Sequence, residues 1–114
     1  MPIKIVENSI TKAELEILAK EVFGDYVKAV VDIERKIAAF GGEMHADEEG
    51  ELLHRGSEQR NLWGINIYPD MSREEWIAYD SMINIRPRDG NPSRGVESEE
   101  LRGRIKEVIE GLIK

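Results

Sequence analysis

The chain has no cysteine and no long apolar run, and only 6% of its residues are aromatic. The lack of cysteine excludes disulfide-stabilised domains, cysteine-ligated zinc, iron–sulfur sites and thiol nucleophiles, and it is typical of a reducing, cytoplasmic compartment. No apolar run approaches the roughly 18 residues of a membrane helix, and the N-terminus lacks the basic and apolar segments of a secretory signal. We therefore expect a cytoplasmic protein without a membrane partner.

Basic side chains are outnumbered by acidic ones, 16 to 23, which gives a formal charge of −7. Phosphate backbones need an excess of lysine and arginine, so this charge makes nucleic acid an unlikely partner. Residues 81–96 are a local exception, because three arginines against one aspartate give them a net charge of +2. Glutamate far outnumbers aspartate, which is a feature of thermophilic proteins.

The length of 114 residues is that of one domain, and the first half of the chain predicts a helix followed by two strands. A capping box of Thr11 and Glu14 begins the helix, and Gly24 ends it. The period then changes to two, which predicts one strand from Val27 and a second over residues 37–40. A single long strand through both segments is the alternative.

The second half predicts a helix, two more strands and a last helix. Asp47 is a candidate N-cap for a helix that runs to about Arg55. Residues 61–68 and 78–86 alternate as strands do, and between them Ser72 begins a possible helical turn. Residues 87–96 have the composition of a loop, and Ser98 caps the final helix.

These elements predict an α+β fold with the order α-β-β-α-β-β-α. Short connections favour antiparallel pairing, so we expect a sheet of about four strands with the helices packed on one face. The single domain, residues 1–114, is divided by these elements as follows: an N-terminal helix over 1–25, a strand pair plus helix over 26–56, a strand pair plus loop over 57–97, and a C-terminal helix over 98–114.

Three unusual strings carry a resemblance to a small prokaryotic family of unknown function. They are GGEMHAD (41–47), NLWGINIYP (61–69) and SMINIRPRDGNPSRGVE (81–97), and the resemblance covers about residues 26–114. It implies a compact cytosolic α+β domain. It assigns no activity, cofactor or catalytic residue to any position.

The arginine-rich segment from Asp80 to Arg94 is the first candidate site. Guanidinium groups beside amide and hydroxyl donors suit bidentate recognition of phosphate or carboxylate, and the glycines of the loop let backbone N–H groups approach an anion. The candidate ligand-binding residues are Asp80, Asn84, Arg86, Arg88, Asn91, Ser93 and Arg94. The alternative is that Arg86 pairs with a carboxylate and the loop only orders the entry to the last helix.

A cluster of histidine and acidic residues is the second candidate. Alternation over residues 43–47 places His45 and Asp47 on one side, where an imidazole and a carboxylate could bind Mg²⁺, Mn²⁺ or Zn²⁺. Such a metal could activate water, with Asp80 brought close by the fold. Asp47 is equally explained as a helix cap.

Two functions follow from these clusters. The first is a non-enzymatic module that binds a small anion at the Asn84–Gly95 loop, and the second is a metal-dependent hydrolase that uses His45, Asp47 and Asp80. A third interpretation is a homodimer formed through an exposed strand or helix face, because a four-stranded sheet has edges to protect. The sequence predicts neither catalytic residues nor a cofactor, and it leaves open whether the protein is an enzyme.

Overall fold

The computed structural model describes residues 3–114, which fold as one five-stranded antiparallel sheet with three α-helices. The strands are β1 (Lys4–Val6), β2 (Val27–Asp32), β3 (Ile37–Phe40), β4 (Leu62–Ile67) and β5 (Ile77–Ala78). Their order in the sheet is β1-β3-β2-β4-β5. The helices are α1 (Lys12–Val22), α2 (His45–His54) and α3 (Glu99–Leu112). The α+β class is therefore confirmed, with one strand more than expected.

Helices α1 and α3 and the β2–β3 hairpin form where short-range sequence patterns predict them. The Thr11–Glu14 capping box is present at the start of α1, and the Ser98 hydroxyl accepts a hydrogen bond from the backbone N–H of Leu101 in α3. β2 and β3 form a hairpin, so the reading as two strands is confirmed and the single long strand is wrong. The turn is held by Asp32, whose carboxylate accepts backbone N–H groups, and Lys36 takes a positive φ of 59°.

The helices cover both faces of the sheet, so the expectation that they share one face is wrong. Helices α1 and α3 pack on the face that carries Ala29, Val31 and Ile65. On the opposite face Leu52 of α2 packs against Val30, Ala39 and Leu62. Neighbouring residues of a strand point to opposite faces, and β2 and β4 carry apolar side chains on both. Each face of the sheet therefore needs a helix to shield it from water.

Three smaller expectations are also wrong, and one strand was not predicted. β1 was not foreseen, and Ser72 begins a turn rather than a helix. Helix α2 has Met44 at its N-cap, which puts Asp47 inside the first turn. The strand expected over 78–86 ends at Ala78, and Met82–Asn84 and Pro87–Asp89 form 3₁₀ turns instead. In the first of these turns the Asn84 side chain bonds to the backbone of β4, where the backbone of a neighbouring strand would otherwise bond.

No helix within residues 3–114 has the length and apolar character needed to cross a membrane.

Candidate functional site

A cleft of about 230 Å³ opens on the face of the sheet that α2 covers. Its walls come from the start of α2, from β2 and β4, and from the segment after β5. The lining residues are Tyr26, Lys28, Met44, His45, Ala46, Asn66, Asp80, Ser81, Met82, Ile83 and Arg94. Residues from both sequence-predicted clusters therefore meet in one place, because His45, Asp80 and Arg94 all line this cleft.

Lys28 and Asn66 belong to the sheet side of the cleft. They are direct partners in the β2–β4 register, on the face where the neighbouring strand residues are apolar. The ammonium of Lys28 lies 5.1 Å from the centre of the Phe23 ring, and it forms no ion pair with any of residues 3–114. Lys28 is therefore a half-buried lysine of the cleft whose charge is not paired within residues 3–114.

The other cation of the cleft, Arg94, is already paired. Its Nε lies 2.7 Å from Oδ1 of Asp80, and both side chains are more than half exposed. An exposed pair of this kind contributes about 0–1 kcal/mol to stability, so it can exchange partners at little cost. The pair leaves the cleft with one uncompensated positive charge, that of Lys28.

His45 lies at the first position of α2 and is only 7% exposed. Its Nε2 is 2.8 Å from the carbonyl oxygen of Ile65, and a carbonyl can only accept, so Nε2 carries the proton. Burial lowers the pKa of His45, while the hydrogen bond to Ile65 acts in the opposite direction. The ring is therefore neutral near pH 7, and Nδ1 is a hydrogen-bond acceptor.

Two asparagines hold the cleft wall in shape without lining it. The buried side chain of Asn84 accepts from the backbone N–H of Gly64 at 2.8 Å and donates to the Gly64 and Arg94 carbonyls. Asn91, also buried, donates to the carbonyls of Asn84 and Gly95. The amide groups of both side chains bond to the backbone. These bonds fix the position of Arg94 at the edge of the cleft.

The remaining residues of the predicted anion loop lie apart from the cleft. Arg86 stacks 4.2 Å from the Trp63 ring centre and donates to the carbonyls of Arg60, Leu62 and Ile83. Its guanidinium therefore covers the beginning of β4. Arg88 is exposed, and the exposed Ser93 accepts from the N–H of Gly95. Of the seven predicted anion ligands, Asp80 and Arg94 line the cleft.

The predicted metal ligands are not brought together. His45 lines the cleft, whereas Asp47 is exposed and is not part of its lining. Within residues 3–114 no group of three or more histidine, aspartate or glutamate side chains is placed to hold a metal ion. Of the three residues assigned to the metal-dependent hydrolase, His45 and Asp80 line the same cleft.

The sequence reasoning missed Lys28, Asn66, Met44 and Met82 as site residues. A usable signal was present for Lys28 and Asn66, because each is a polar residue in a strand whose neighbours on the same face are small or apolar. Recognising it requires knowing that these two strands are adjacent and in register. The exposed methionines carry no comparable signal.

A fully buried carboxyl, Glu48, stands one helical turn after His45. Its Oε2 accepts the backbone N–H of Gly42 at 2.9 Å, and Oε1 has no hydrogen-bond partner among residues 3–114. Burial raises the pKa of Glu48 well above 4.5, an effect that the Gly42 bond and the charge of Lys28 oppose and that Asp47 reinforces. Between pH 4.5 and this raised pKa, Glu48 is therefore protonated in the folded protein and ionised in the unfolded chain.

We expect Glu48→Gln to remove a dependence of stability on pH. Since the folded-state pKa is raised, the contribution of Glu48 to stability is fully present below pH 4.5 and is lost as pH rises through the folded-state pKa. Between the two pKa values the loss is about 1.4 kcal/mol per pH unit. Urea unfolding from pH 4 to 8 should show the variant gaining on the wild type as pH rises. The exposed neighbour Glu43→Gln is the control, and parallel curves for Glu48→Gln and wild type would contradict the assignment.

The fold and the cleft define a small single-domain α+β protein with a polar pocket built over a sheet. Residues 4–112 match the model of DUF5674, a family described as a protein of unknown function. The chain belongs to that family. Comparison with curated proteins and with solved structures found no match.

Proposed function

We propose that the protein is a non-enzymatic binding module for a small anion, a carboxylate or phosphate, held in the cleft between β2, β4 and the start of α2. The observation that carries the proposal is Lys28, a half-buried lysine of the cleft whose ammonium has no ion-pair partner among residues 3–114. An anion that enters the cleft would give the Lys28 ammonium the charged hydrogen-bond partner that it lacks.

The surroundings of Lys28 favour the same kind of ligand. Arg94 uses its Nε for Asp80, and its two terminal nitrogens donate to no side chain in residues 3–114. Helix α2 begins in the cleft wall, and its N-terminal end carries a partial positive charge. The cleft therefore offers an anion further hydrogen-bond donors beside Lys28, although the chain as a whole is acidic.

Thermal unfolding with added anions tests the proposal. A ligand at about 100 times its dissociation constant should stabilise the wild type by about 2.7 kcal/mol, seen as a rise in Tm. Lys28→Met keeps the length of the stem and removes the charge, so it should abolish the rise. Arg88→Met removes an exposed arginine outside the cleft and is the matched control.

The screen should contain phosphate, sulfate and a range of mono- and dicarboxylates at constant ionic strength. A rise in Tm that persists in Lys28→Met would contradict the proposed site. A wild type that no anion stabilises would contradict the function itself.

The metal-dependent hydrolase remains the alternative function. Its support is that His45 and Asp80 line the same cleft, while Asp47 does not. Adding Mn²⁺ or Zn²⁺ to the same unfolding experiment tests it, since a bound metal would raise Tm in the wild type and not in Asp80→Asn.

A homodimer and a cytoplasmic location also remain predictions. The sheet ends at β1 on one side and at the two-residue β5 on the other, and short edge strands of this kind limit pairing between chains. Light scattering after size-exclusion chromatography measures the oligomeric state directly.

A further inference from the structure

The chemistry of the cleft specifies its anion more narrowly than charge alone. This inference rests on the proposed function, because it concerns the ligand of the same cleft. Three features of the lining bear on it: the number of unpaired charges, the unused hydrogen-bond acceptors and the exposed apolar side chains.

The charge balance favours a ligand with a single anionic group. Asp80 and Arg94 neutralise each other at 2.7 Å, and His45 is neutral because burial lowers its pKa. Lys28 is then the one lining residue with an uncompensated charge. A single carboxylate matches it, whereas a doubly charged phosphate would bring an unpaired negative charge beside Asp80.

The acceptors require a donor on the ligand. Nδ1 of His45 has no hydrogen-bond partner among residues 3–114, and Asp80 accepts from Arg94 through Oδ1 alone. A ligand with only carboxylate oxygens would bring acceptors against these acceptors. A hydroxyl or amino group next to the carboxylate would instead donate a hydrogen bond to Nδ1 of His45 or to the carboxylate of Asp80.

Two methionines of the cleft lining are largely exposed to solvent. Met44 is 57% exposed and Met82 is 65% exposed, and both line the cleft. Methionine side chains are flexible and polarizable, so they adapt to an apolar group placed between them. At about 230 Å³ the cleft is smaller than the usual pockets for drug-sized ligands, which run from roughly 300 to 1,000 Å³, so this group must be small.

We propose that the ligand is a small monocarboxylic acid with a hydrogen-bond donor on the carbon next to the carboxylate and a short apolar side chain, as in α-hydroxy and α-amino acids. Lys28 binds the carboxylate, His45 and Asp80 accept from the donor, and Met44 and Met82 cover the side chain.

Four related acids test this assignment by calorimetric titration of the full chain. Leucic acid, the hydroxy-acid analogue of leucine, has the carboxylate, the donor and the side chain. Isocaproic acid lacks the donor, glycolic acid lacks the side chain, and leucine replaces the hydroxyl by an ammonium group. We expect leucic acid or leucine to bind at least about tenfold more tightly than isocaproic acid and glycolic acid.

A methionine variant separates the apolar contact from the others. Met82→Ser should weaken binding of leucic acid or leucine severalfold and leave glycolic acid unchanged, because glycolic acid has no side chain to cover. Met71→Ser changes an exposed methionine outside the cleft and is the matched control.

Three results would overturn the inference while the proposed function stands. One is inorganic phosphate or isocaproic acid binding as tightly as leucic acid and leucine, with Lys28→Met abolishing each. A second is an unchanged affinity of Met82→Ser for the preferred acid. If none of the four acids binds while another anion of the screen stabilises the wild type, the inference alone fails. If no anion of the screen stabilises the wild type, the inference and the proposed function both fail.

Discussion

Asn84→Ala is expected to lower the free energy of unfolding by about 3 kcal/mol, since buried groups that lose their partner cost about 1–3 kcal/mol each. Removing this amide leaves the backbone N–H and the carbonyl of Gly64 without a partner, whereas the carbonyl of Arg94 keeps its bond from the N–H of Ser81. Asn84 is completely buried, so water cannot replace the lost bonds without a cavity opening. For a small domain this is a large share of the total stability.

Urea unfolding at constant pH measures this effect. Asn8→Ala is the matched control, because Asn8 is exposed and its side chain makes no hydrogen bond within residues 3–114. Binding provides a second measurement, since Arg94 is held through its carbonyl by Asn84. A loss below about 1 kcal/mol would show that the edge of β4 finds other partners and would contradict the role given to Asn84.

Gly64→Ala is expected to cost about 1–3 kcal/mol or more through overpacking at the same place. A Cβ on Gly64 would lie 2.6 Å from the Cβ and Oγ of Ser81 and 3.1 Å from Cγ1 of Ile83. Real atoms do not approach so closely, so the segment after β5 would have to move away from β4. That movement would also pull on the Asn84 bonds to Gly64.

The double variant Gly64→Ala with Ser81→Gly tests whether this steric contact is the cause. Removing the Ser81 side chain should recover much of the lost stability, although Ile83 still crowds the site. Ser81→Gly alone provides the reference for the cycle, and Gly103→Ala is a control because a Cβ there meets no atom within 4 Å. Additive effects of the two substitutions would contradict the proposed contact.

The two variants test one structural device, the packing of the segment after β5 on the edge of β4. This segment was predicted as a strand because its residues alternate in polarity. It leaves the sheet after Ala78, since the Asn84 side chain takes the place of a neighbouring backbone and Ser81 packs directly on Gly64. A hydrogen bond from a side chain to backbone twenty residues earlier produces no periodic pattern in the sequence. The alternation of polar and apolar residues therefore predicted a strand that does not form.

The fold groups the predicted site residues differently from the sequence analysis. Asp80 and Arg94 were assigned to an arginine-rich loop, and His45 to a metal cluster, yet the three line one cleft. Arg86 was chosen for its charge, but its guanidinium is taken up by backbone carbonyls and the Trp63 ring. Residue type shows which chemistry is available, and only the packing shows which groups remain free to perform it.

The sequence by itself determined the local elements: α1 from its capping box, the β2–β3 hairpin and β4 from their alternation, and α3 from its apolar stripe and serine cap. These follow from interactions between residues a few positions apart. The tertiary structure decided that α2 covers the second face of the sheet, and with it that Lys28, His45 and Arg94 meet. Strand order, register and hydrogen bonds between residues far apart in the sequence bring these side chains together. The cleft therefore exists only in the folded chain.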